Sequence, residues 1–343
     1  MRYKIYICHI IASISIIFLN PPKNYAQLLG PGYQTVIKVE YQYSDYFNYT
    51  YPDPILYEYP DVIYLQPQPY ISSFPEHRFL TKISQYFGFF TNLGLRYQKS
   101  ILDDNIQQDI YYAALTHELS DLYSVSGAYQ YMKLNNQVSD TLSYAGHMLE
   151  LGGKFNFAGA IYIEPSYAYY TSSYFSPEAA TGGGHNISLR LRQAFSPTLA
   201  VQVKYDYLSV GFTSTKGDEN YYHANTFTLW VSQWLSTQTA IHMLGRFYWD
   251  SYKTYSISPG FEVIQYVKWN VILHLSYRFY HNKPTLESSL QRITGTSFTT
   301  NAASVILDYR VSANTTIGLK YRFYTSNQDI DMNTYLISLE QVL

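Results

Sequence analysis

The sequence predicts an all-β protein: a transmembrane antiparallel up-and-down β-barrel of about 16 strands, each crossing an apolar band about 25 Å tall. Three observations lead to this prediction. Segments of about ten residues alternate between apolar and polar side chains. Aromatic residues stand at both ends of the apolar face, and tight turns alternate with longer connections. This combination is typical of strands that meet lipid on one side and water on the other.

The segment from Trp269 to Phe279 shows the pattern most clearly. Its odd-numbered residues are apolar or aromatic, and its even-numbered residues are polar except for Ile272. Ten residues at about 3.3 Å each give about 33 Å of strand, or about 23 Å of height at a tilt of about 45°. The apolar band of a membrane barrel is about 25 Å tall. One such strand therefore crosses the band.

The same pattern places the other strands. The first is Thr35–Tyr43, and the next two flank a turn near Phe89–Asn92. This part of the count is the weakest, so 14 strands are the alternative to 16. The remaining strands are predicted at Asp109–His117, Tyr123–Met132, Ser143–Phe155, Ala160–Thr171, His185–Phe195, Leu199–Val210, His223–Trp234, Thr239–Trp249, Thr254–Gln265, Trp269–Tyr280, Phe298–Tyr309, Thr316–Tyr324 and Met332–Val342.

The connections are of two kinds. Short ones such as Phe157-Ala158-Gly159 and Tyr266-Val267-Lys268 alternate with longer ones such as Asn282–Thr296. Short turns on the periplasmic side and longer extracellular loops are typical of membrane barrels. The longest connection is predicted at about residues 45–79, which are rich in proline and tyrosine. It folds either into the lumen, where it would narrow a pore, or over the surface as a lid.

Residues 1–26 read as a secretory signal peptide, which leaves residues 27–343 for the barrel. Arg2 and Lys4 precede an apolar run, and a small-residue cleavage site ends at Ala26. The alternative is a membrane anchor, but the run is short for the ~20 residues that a helical span needs. Cys8 is the only cysteine and lies in this segment. The mature chain would therefore have no disulfide.

Composition excludes several classes of protein. Charged residues make up 14% and aromatic residues 18%, with 40 tyrosines and a net charge of -2. We expect no nucleic-acid binding, because the chain is slightly acidic and has no basic run. A secreted β-sandwich would also alternate, but sandwich strands run about 5–6 residues and need no aromatic residues at both ends.

The even-numbered face of the strands carries the charges, and we expect it to line a wet lumen. Arg190, Arg192 and Lys204 lie on one predicted hairpin and predict an anion preference, since rings of basic residues favour anions. The alternative is a salt-bridge network that only braces the wall. The pore-lining candidates are Lys38, Glu40, Arg96, Arg190, Arg192, Lys204, Asp206, Arg246, Glu262, His274, Arg278, Asp308, Lys320 and Arg322.

Other chemistry is weakly indicated. His242 and His274 share the even face with serines, but the chain has no G-x-S-x-G and no H-E-x-x-H motif. We expect neither catalysis nor a metal ion nor another cofactor. The aromatic residues with inward parity raise a second possibility, a slide for sugar rings. They are Tyr162, Tyr170, Trp230, Tyr248, Tyr280 and Tyr324.

The signal peptide, hairpin rhythm, aromatic ends and terminal strand together resemble a Gram-negative outer-membrane β-barrel of the porin type. In the last strand Tyr335, Ile337, Leu339 and Leu343 share one face, whereas Gln341 departs from it. This face resembles the C-terminal signal that the barrel-insertion machinery reads. The resemblance implies an outer-membrane location, contact with outer-membrane lipid, and no enzymatic activity.

The sequence therefore predicts a passive pore for small polar or anionic solutes. The first alternative is a structural or docking barrel for a partner in secretion, polysaccharide export or electron transfer. The second alternative is an outer-membrane enzyme that modifies lipids.

Overall fold

The fold is an all-β barrel whose backbone closes on itself. A computed structural model describes residues 33–49, 72–88, 90–102, 106–136, 143–157, 160–174, 181–213, 219–251, 253–283, 298–327 and 331–343. The predicted signal peptide at residues 1–26 lies outside the described residues. Among the described residues, no helix is both long and apolar enough to cross a membrane.

The described chain forms 16 antiparallel strands, and each pairs with its neighbours in sequence order. The strands are β1 (Tyr33–Tyr49), β2 (Ser72–Phe87), β3 (Thr91–Leu102), β4 (Ile106–Ser120), β5 (Tyr123–Asn136), β6 (Tyr144–Phe157), β7 (Ile161–Tyr174), β8 (Thr181–Ala194), β9 (Leu199–Thr213), β10 (Glu219–Trp234), β11 (Thr239–Asp250), β12 (Tyr255–Lys268), β13 (Val271–Lys283), β14 (Phe298–Ser312), β15 (Thr315–Ser326) and β16 (Asp331–Val342).

Pairing of the first strand with the last closes the barrel. β1 and β16 pair continuously from Val36 opposite Val342 to Phe47 opposite Asp331. Closure gives both edge strands a partner, which matters because lipid offers no hydrogen bonds to an open edge. The predicted fold class and the count of 16 strands are confirmed.

The strands are longer than the sequence predicts, and the difference lies at their ends. β1 continues to Tyr49 and β2 begins at Ser72, so both ends of the segment predicted as a loop at 45–79 belong to strands. Only residues 50–71 connect them, and these lie outside the described residues. Pro75 is accommodated because the β2–β3 ladder begins only at Glu76.

Three tight turns lie later in the chain than predicted, because a bulge interrupts the alternation just before each turn. The register shifts between Glu118 and Ser120, between Tyr266 and Lys268, and between Arg310 and Ser312. An extra residue reverses the inward and outward positions that follow it. Trp269, predicted as a strand residue, consequently lies in the β12–β13 turn.

Two kinds of connection alternate along the chain, as predicted. The tight turns span two to four residues, whereas the connection between β13 and β14 spans residues 284–297. Three connections on the side of the longer loops are nevertheless short, at residues 103–105, 251–254 and 327–330. We call the side of the tight turns periplasmic and the opposite side extracellular, because membrane barrels are oriented in this way.

Side-chain direction follows residue number throughout the barrel. Every described strand pair joins even with even and odd with odd, except the single pairs that follow a bulge at a strand end. Odd-numbered side chains include exposed apolar groups such as Leu151 at 57% and Met243 at 53% exposure. Even-numbered positions include buried Thr228 and Ser258. Odd residues therefore form the outer surface and even residues the inner wall.

A belt of hydrogen-bonded tyrosines surrounds the outer surface near its extracellular end. In seven of the eight extracellular hairpins, a tyrosine on the ascending strand bonds to a histidine, aspartate or asparagine on the descending strand. The distances are 2.6–3.1 Å. We call this set the tyrosine belt. Its pairs are Tyr41–His77, Tyr97–Asp109, Tyr129–His147, Tyr167–His185, Tyr205–Asn225, Tyr207–His223, Tyr277–Asn301 and Tyr321–Asn333.

A second, less regular belt lies near the tight turns. There a threonine bonds to a glutamine or histidine directly opposite, as Thr315 bonds to Gln341 at 2.7 Å and Thr91 to His117 at 2.8 Å. Gln341, which departs from the apolar face of β16, is thus one of the hydrogen-bonded residues of this second belt. His117 lies eight residues after Asp109 of the tyrosine belt. Eight residues correspond to about 19 Å of height at a tilt of about 45°, which suits the apolar band between the belts.

We expect an arginine at position 275 to cost far more than one at the next position. Leu275 points outward near the middle of β13 and Ser276 points inward. Arginine on a lipid-facing site at mid-membrane costs about 2–4 kcal/mol, whereas the inner wall is wet. Urea unfolding in vesicles should show Leu275→Arg destabilised by about that amount and Ser276→Arg by less than about 1 kcal/mol. Equal losses would contradict the assignment of faces.

Candidate functional site

The inner wall is the candidate functional site, because it carries most of the charged residues of the strands. Every arginine of the described strands is even-numbered, and all fourteen predicted pore-lining residues are even-numbered as well. They are spread around the barrel from β1 to β15 and do not form one compact cluster. Ion pairs and hydrogen bonds link most of them to neighbours on the same face.

The basic hairpin predicted from Arg190, Arg192 and Lys204 is present, with acidic partners. Arg190 lies directly opposite Lys204. Its guanidinium donates to Glu164 Oε2 at 2.8 Å, and Lys204 Nζ is 2.8 Å from Asp206 Oδ1. The two pairs reduce the repulsion between adjacent cations. Arg192 lies nearer the periplasmic end, opposite Tyr162 and Gln202, and is exposed.

Three of the predicted pore-lining residues, Glu262, His274 and Asp308, lie together on the wall. The His274 ring lies between two carboxylates, with Nδ1 3.2 Å from Glu262 Oε1 and Nε2 3.5 Å from Asp308 Oδ2. Gly318 lies directly opposite Asp308, and a Cβ there would approach Asp308 Oδ1 to 2.9 Å. The glycine therefore leaves room for this carboxylate.

Arg278, Lys320 and Arg322 lie on the part of the wall formed by β13–β15, whereas Arg246 lies on β11. Arg278 is opposite Gly260 and Ala302, and Arg322 is opposite Ser304 and Thr334. Lys320 lies between Ile306 and Leu336, and Arg246 between Thr228 and Ser258. Lys320 and Arg322 are therefore successive inward residues of β15, with Arg278 two strands away on β13 and Arg246 on β11.

A row of three cations crosses β1, β2 and β3, and one of them was missed in the sequence. Lys38 lies opposite Lys82, and Lys82 lies opposite Arg96. Lys38 pairs with Glu40 at 2.7 Å, and Arg96 donates to Gln130 Oε1 at 3.1 Å. Lys82 was missed because proline-rich sequence hides the start of β2, so its parity could not be assigned.

Two aromatic rings on the inner wall are covered by cations. Lys154 Nζ lies 4.6 Å from the centre of the Tyr162 ring, and the Arg96 guanidinium lies 4.9 Å from that of Tyr112. Both distances are within the range of cation–π attraction. The wall thus offers flat rings beside positive charge, an arrangement that no single stretch of sequence reveals.

The extracellular half of the inner wall is more tightly covered than the periplasmic half. Ser44, Thr300 and Tyr324 are 0–1% exposed, whereas the Arg190 side chain is 40% exposed. A polar cluster lies at the covered end, where the hydroxyl groups of Tyr222 and Tyr248 contact each other and both lie within hydrogen-bond distance of Asp250 Oδ2. Asp250 Oδ1 also accepts the Thr254 backbone N–H at 2.9 Å, which fixes the β11–β12 connection.

In the described part of the chain, His242 and His274 contact different side chains. His242 Nδ1 lies 2.8 Å from Ser232 Oγ, but Glu262, the acid opposite His242, contacts His274. A nucleophilic serine needs a base that a third group orients. Among the described residues, no three His, Cys, Asp or Glu side chains converge as metal ligands.

Comparisons with known proteins identify the fold without assigning a family. No family model matches the chain, and no curated protein matches its sequence. A solved "Bacterial polysaccharide outer membrane secretin" is similar in structure, with a TM-score of 0.56 and 11% identity, over 89% of this chain and 97% of that one. OccK5 (OpdH) of Pseudomonas aeruginosa is similar with a TM-score of 0.50 and 9% identity, over 91% of this chain and 98% of that one.

Together with the closed ladder, the apolar outer surface and the two belts, this likeness defines the class of the protein. The chain has the fold of a bacterial outer-membrane β-barrel of the porin type.

We expect the buried ion pair to matter for stability more than the exposed cation beside it. The Lys204 and Asp206 side chains are 8% and 14% exposed. Lys204→Met should lower the free energy of unfolding by about 3 kcal/mol, because it leaves a buried carboxylate without its partner. Arg192→Met should cost less than about 1 kcal/mol, since Arg192 is exposed. Denaturant unfolding in vesicles compares the two, and a smaller loss for Lys204→Met would contradict this account.

Proposed function

We propose that the protein is a passive pore of the bacterial outer membrane for small polar solutes, with a preference for anions. One observation carries the proposal: a closed ladder of 16 strands surrounds an inner wall of charged and hydroxyl side chains. Barrels of 16–18 strands leave an aqueous channel, whereas about eight strands are filled by their own side chains. A charged inner wall of this circumference favours water and polar solutes over a packed core.

The burial of the wall supports a constriction in the extracellular half. Side chains there are covered, and small hydroxyl residues such as Ser44 and Thr300 alternate with rings such as Tyr324. The periplasmic half presents exposed Lys154 and Arg192. We propose that solutes meet the narrow part first and the basic part second.

The pore proposal predicts stepwise conductance. The refolded mature chain should produce discrete single-channel currents in planar bilayers, because water and ions fill the lumen of a wide barrel. A protein that inserts as a folded barrel, with heat-modifiable mobility, but never conducts would contradict the proposal. It would favour the alternative of a structural barrel that docks a partner.

The anion preference predicts an effect on reversal potential. Replacing Arg190, Arg192 and Lys204 by Gln should shift the reversal potential in a salt gradient toward cations, because Glu164 and Asp206 then lose their partners. The matched control is Arg190→Gln with Glu164→Gln, which removes one charge of each sign and should change the potential much less. An unchanged reversal potential in the triple variant would contradict the proposed anion preference but not the proposed pore.

A saccharide conduit is a second candidate, favoured by the cation-covered rings of the wall. Tyr162 lies between Lys154 and Arg192, which suits a sugar that carries a carboxylate, and a similar structure is named for polysaccharide. Tyr280 and Tyr324 are 7% and 1% exposed and are too covered to contribute. Acidic oligosaccharides should interrupt the single-channel current, and Tyr162→Ala should shorten the interruptions. If neutral and acidic sugars both leave the current unchanged, this candidate fails.

For an enzymatic role we find no supporting geometry in the described inner wall, where Glu262 contacts His274. We also propose that the barrel-insertion machinery recognises β16, whose outward Tyr335 and Ile337 are 52% and 50% exposed. No cofactor forms part of either proposal.

A further inference from the structure

Two lysines break the rule that strand cations point inward. Away from strand ends and bulges, Lys99 and Lys133 are the odd-numbered lysines or arginines among the described strand residues, and they therefore lie on the outer surface. They are also neighbours, because both lie directly opposite Asp109, Lys99 from β3 and Lys133 from β5. Two strand spacings of about 4.8 Å place their Cα atoms about 10 Å apart. Their long side chains can therefore reach one ligand.

The lysines lie at the height of lipid headgroups. Lys99 is two residues beyond Tyr97 of the tyrosine belt, and Lys133 is four beyond Tyr129, in both cases toward the extracellular end. Charged side chains on the outer face cost little near the membrane interface and much at its centre. A charged side chain is therefore tolerated at this height. Tolerance alone does not explain why two cations lie side by side here, an arrangement not repeated on the outer surface of the described residues.

An aromatic row lies directly beneath the lysines. Tyr97, Tyr111, Tyr131 and His147 are successive partners on β3 to β6. Their ring centres are 5.0, 6.2 and 5.0 Å apart. Tyr97 and Tyr111 are 37% and 48% exposed. This gives a continuous aromatic surface of amphipathic rings, which is suited to the boundary between sugar or glycerol groups and acyl chains.

The carboxylate between the lysines has a structural role. Asp109 Oδ1 accepts a hydrogen bond from the Tyr97 hydroxyl, with 2.8 Å between the two oxygens, and this bond anchors the aspartate to the aromatic row. Among the described residues of this patch, the two lysines outnumber the one carboxylate, which leaves a net positive charge toward the lipid. Its complement is an anionic group at headgroup height, and phosphate is the group that lipids supply there.

We propose that the outer surface of β3–β6, formed by Lys99, Lys133 and the row Tyr97–Tyr111–Tyr131–His147, binds the phosphate-bearing headgroup of an outer-leaflet lipid. Lys99 and Lys133 donate to the phosphate oxygens as charge-assisted hydrogen bonds. The aromatic row supports the sugar or glycerol part, and the acyl chains run down the apolar wall below. The site is independent of the lumen.

The test uses the refolded mature protein in detergent and two probes, lipid A with both phosphates and the same lipid after dephosphorylation. Native mass spectrometry measures the bound fraction. The wild type should retain the phosphorylated probe in preference. Lys99→Gln with Lys133→Gln should lower its retention about five-fold, because two exposed charge-assisted contacts are lost. Lys99→Arg with Lys133→Arg should keep most of the binding, which excludes a general loss of structure.

Matched controls separate this site from the pore. Lys154→Gln with Lys320→Gln removes two positive charges from the inner wall and should leave lipid retention unchanged. The outer double variant should keep the wild-type single-channel conductance. Equal retention of both probes, or retention unaffected by Lys99→Gln with Lys133→Gln, would overturn the proposal. If the outer double variant instead dissociates a dimer, the surface is a contact between two copies and the lipid proposal also fails.

Discussion

The structure depends on one constraint: in lipid, each backbone N–H and C=O of the wall must find its partner within the protein. The ladder meets this constraint only because β1 pairs with β16 along the whole length of β16. Closure then divides every strand into two faces, one in hydrocarbon and one in water. The outer face must be apolar between the headgroup levels, and the inner face is free to carry charge. The placement of odd-numbered residues outside and even-numbered residues inside follows from this division.

Polar outward residues mark where the hydrocarbon begins and ends. A tyrosine at the interface keeps its ring among the acyl chains and its hydroxyl in the polar layer. In this barrel the hydroxyl is also bound to a side chain on the next strand, as Tyr167 is to His185 at 2.6 Å. Such a bond couples two strands at the level where each leaves the lipid. The aromatic girdle is therefore part of the hydrogen-bonding of the barrel as well as its boundary.

Much of the fold could be predicted because the alternation of apolar and polar residues can be read from each strand alone. The parity of Arg190, His274 and Lys320 required only their own strands. Strand ends were less predictable, since a bulge such as the one between Tyr266 and Lys268 reverses the alternation that reveals a strand. Lys82 was hidden by the prolines before it.

Contacts between side chains on different strands could not be predicted from the sequence, because they depend on the register of the strands. Tyr129 and His147 are 18 residues apart and meet only when β5 and β6 pair as they do. The same holds for the ion pair of Arg190 with Glu164, which changes the predicted basic hairpin into a partly neutralised one. For the same reason, the lysines on either side of Asp109 become a pair only in the folded barrel.

The most direct measurement of the central claim is the water accessibility of single cysteines along β13 in proteoliposomes. The sequence contains no cysteine after Cys8, so each introduced thiol can be followed alone. A membrane-impermeant thiol reagent should label cysteines at positions 274, 276 and 278 and leave those at 273, 275 and 277 unlabelled. Labelling of both sets alike, or of the odd set alone, would contradict a barrel with lipid outside and water within.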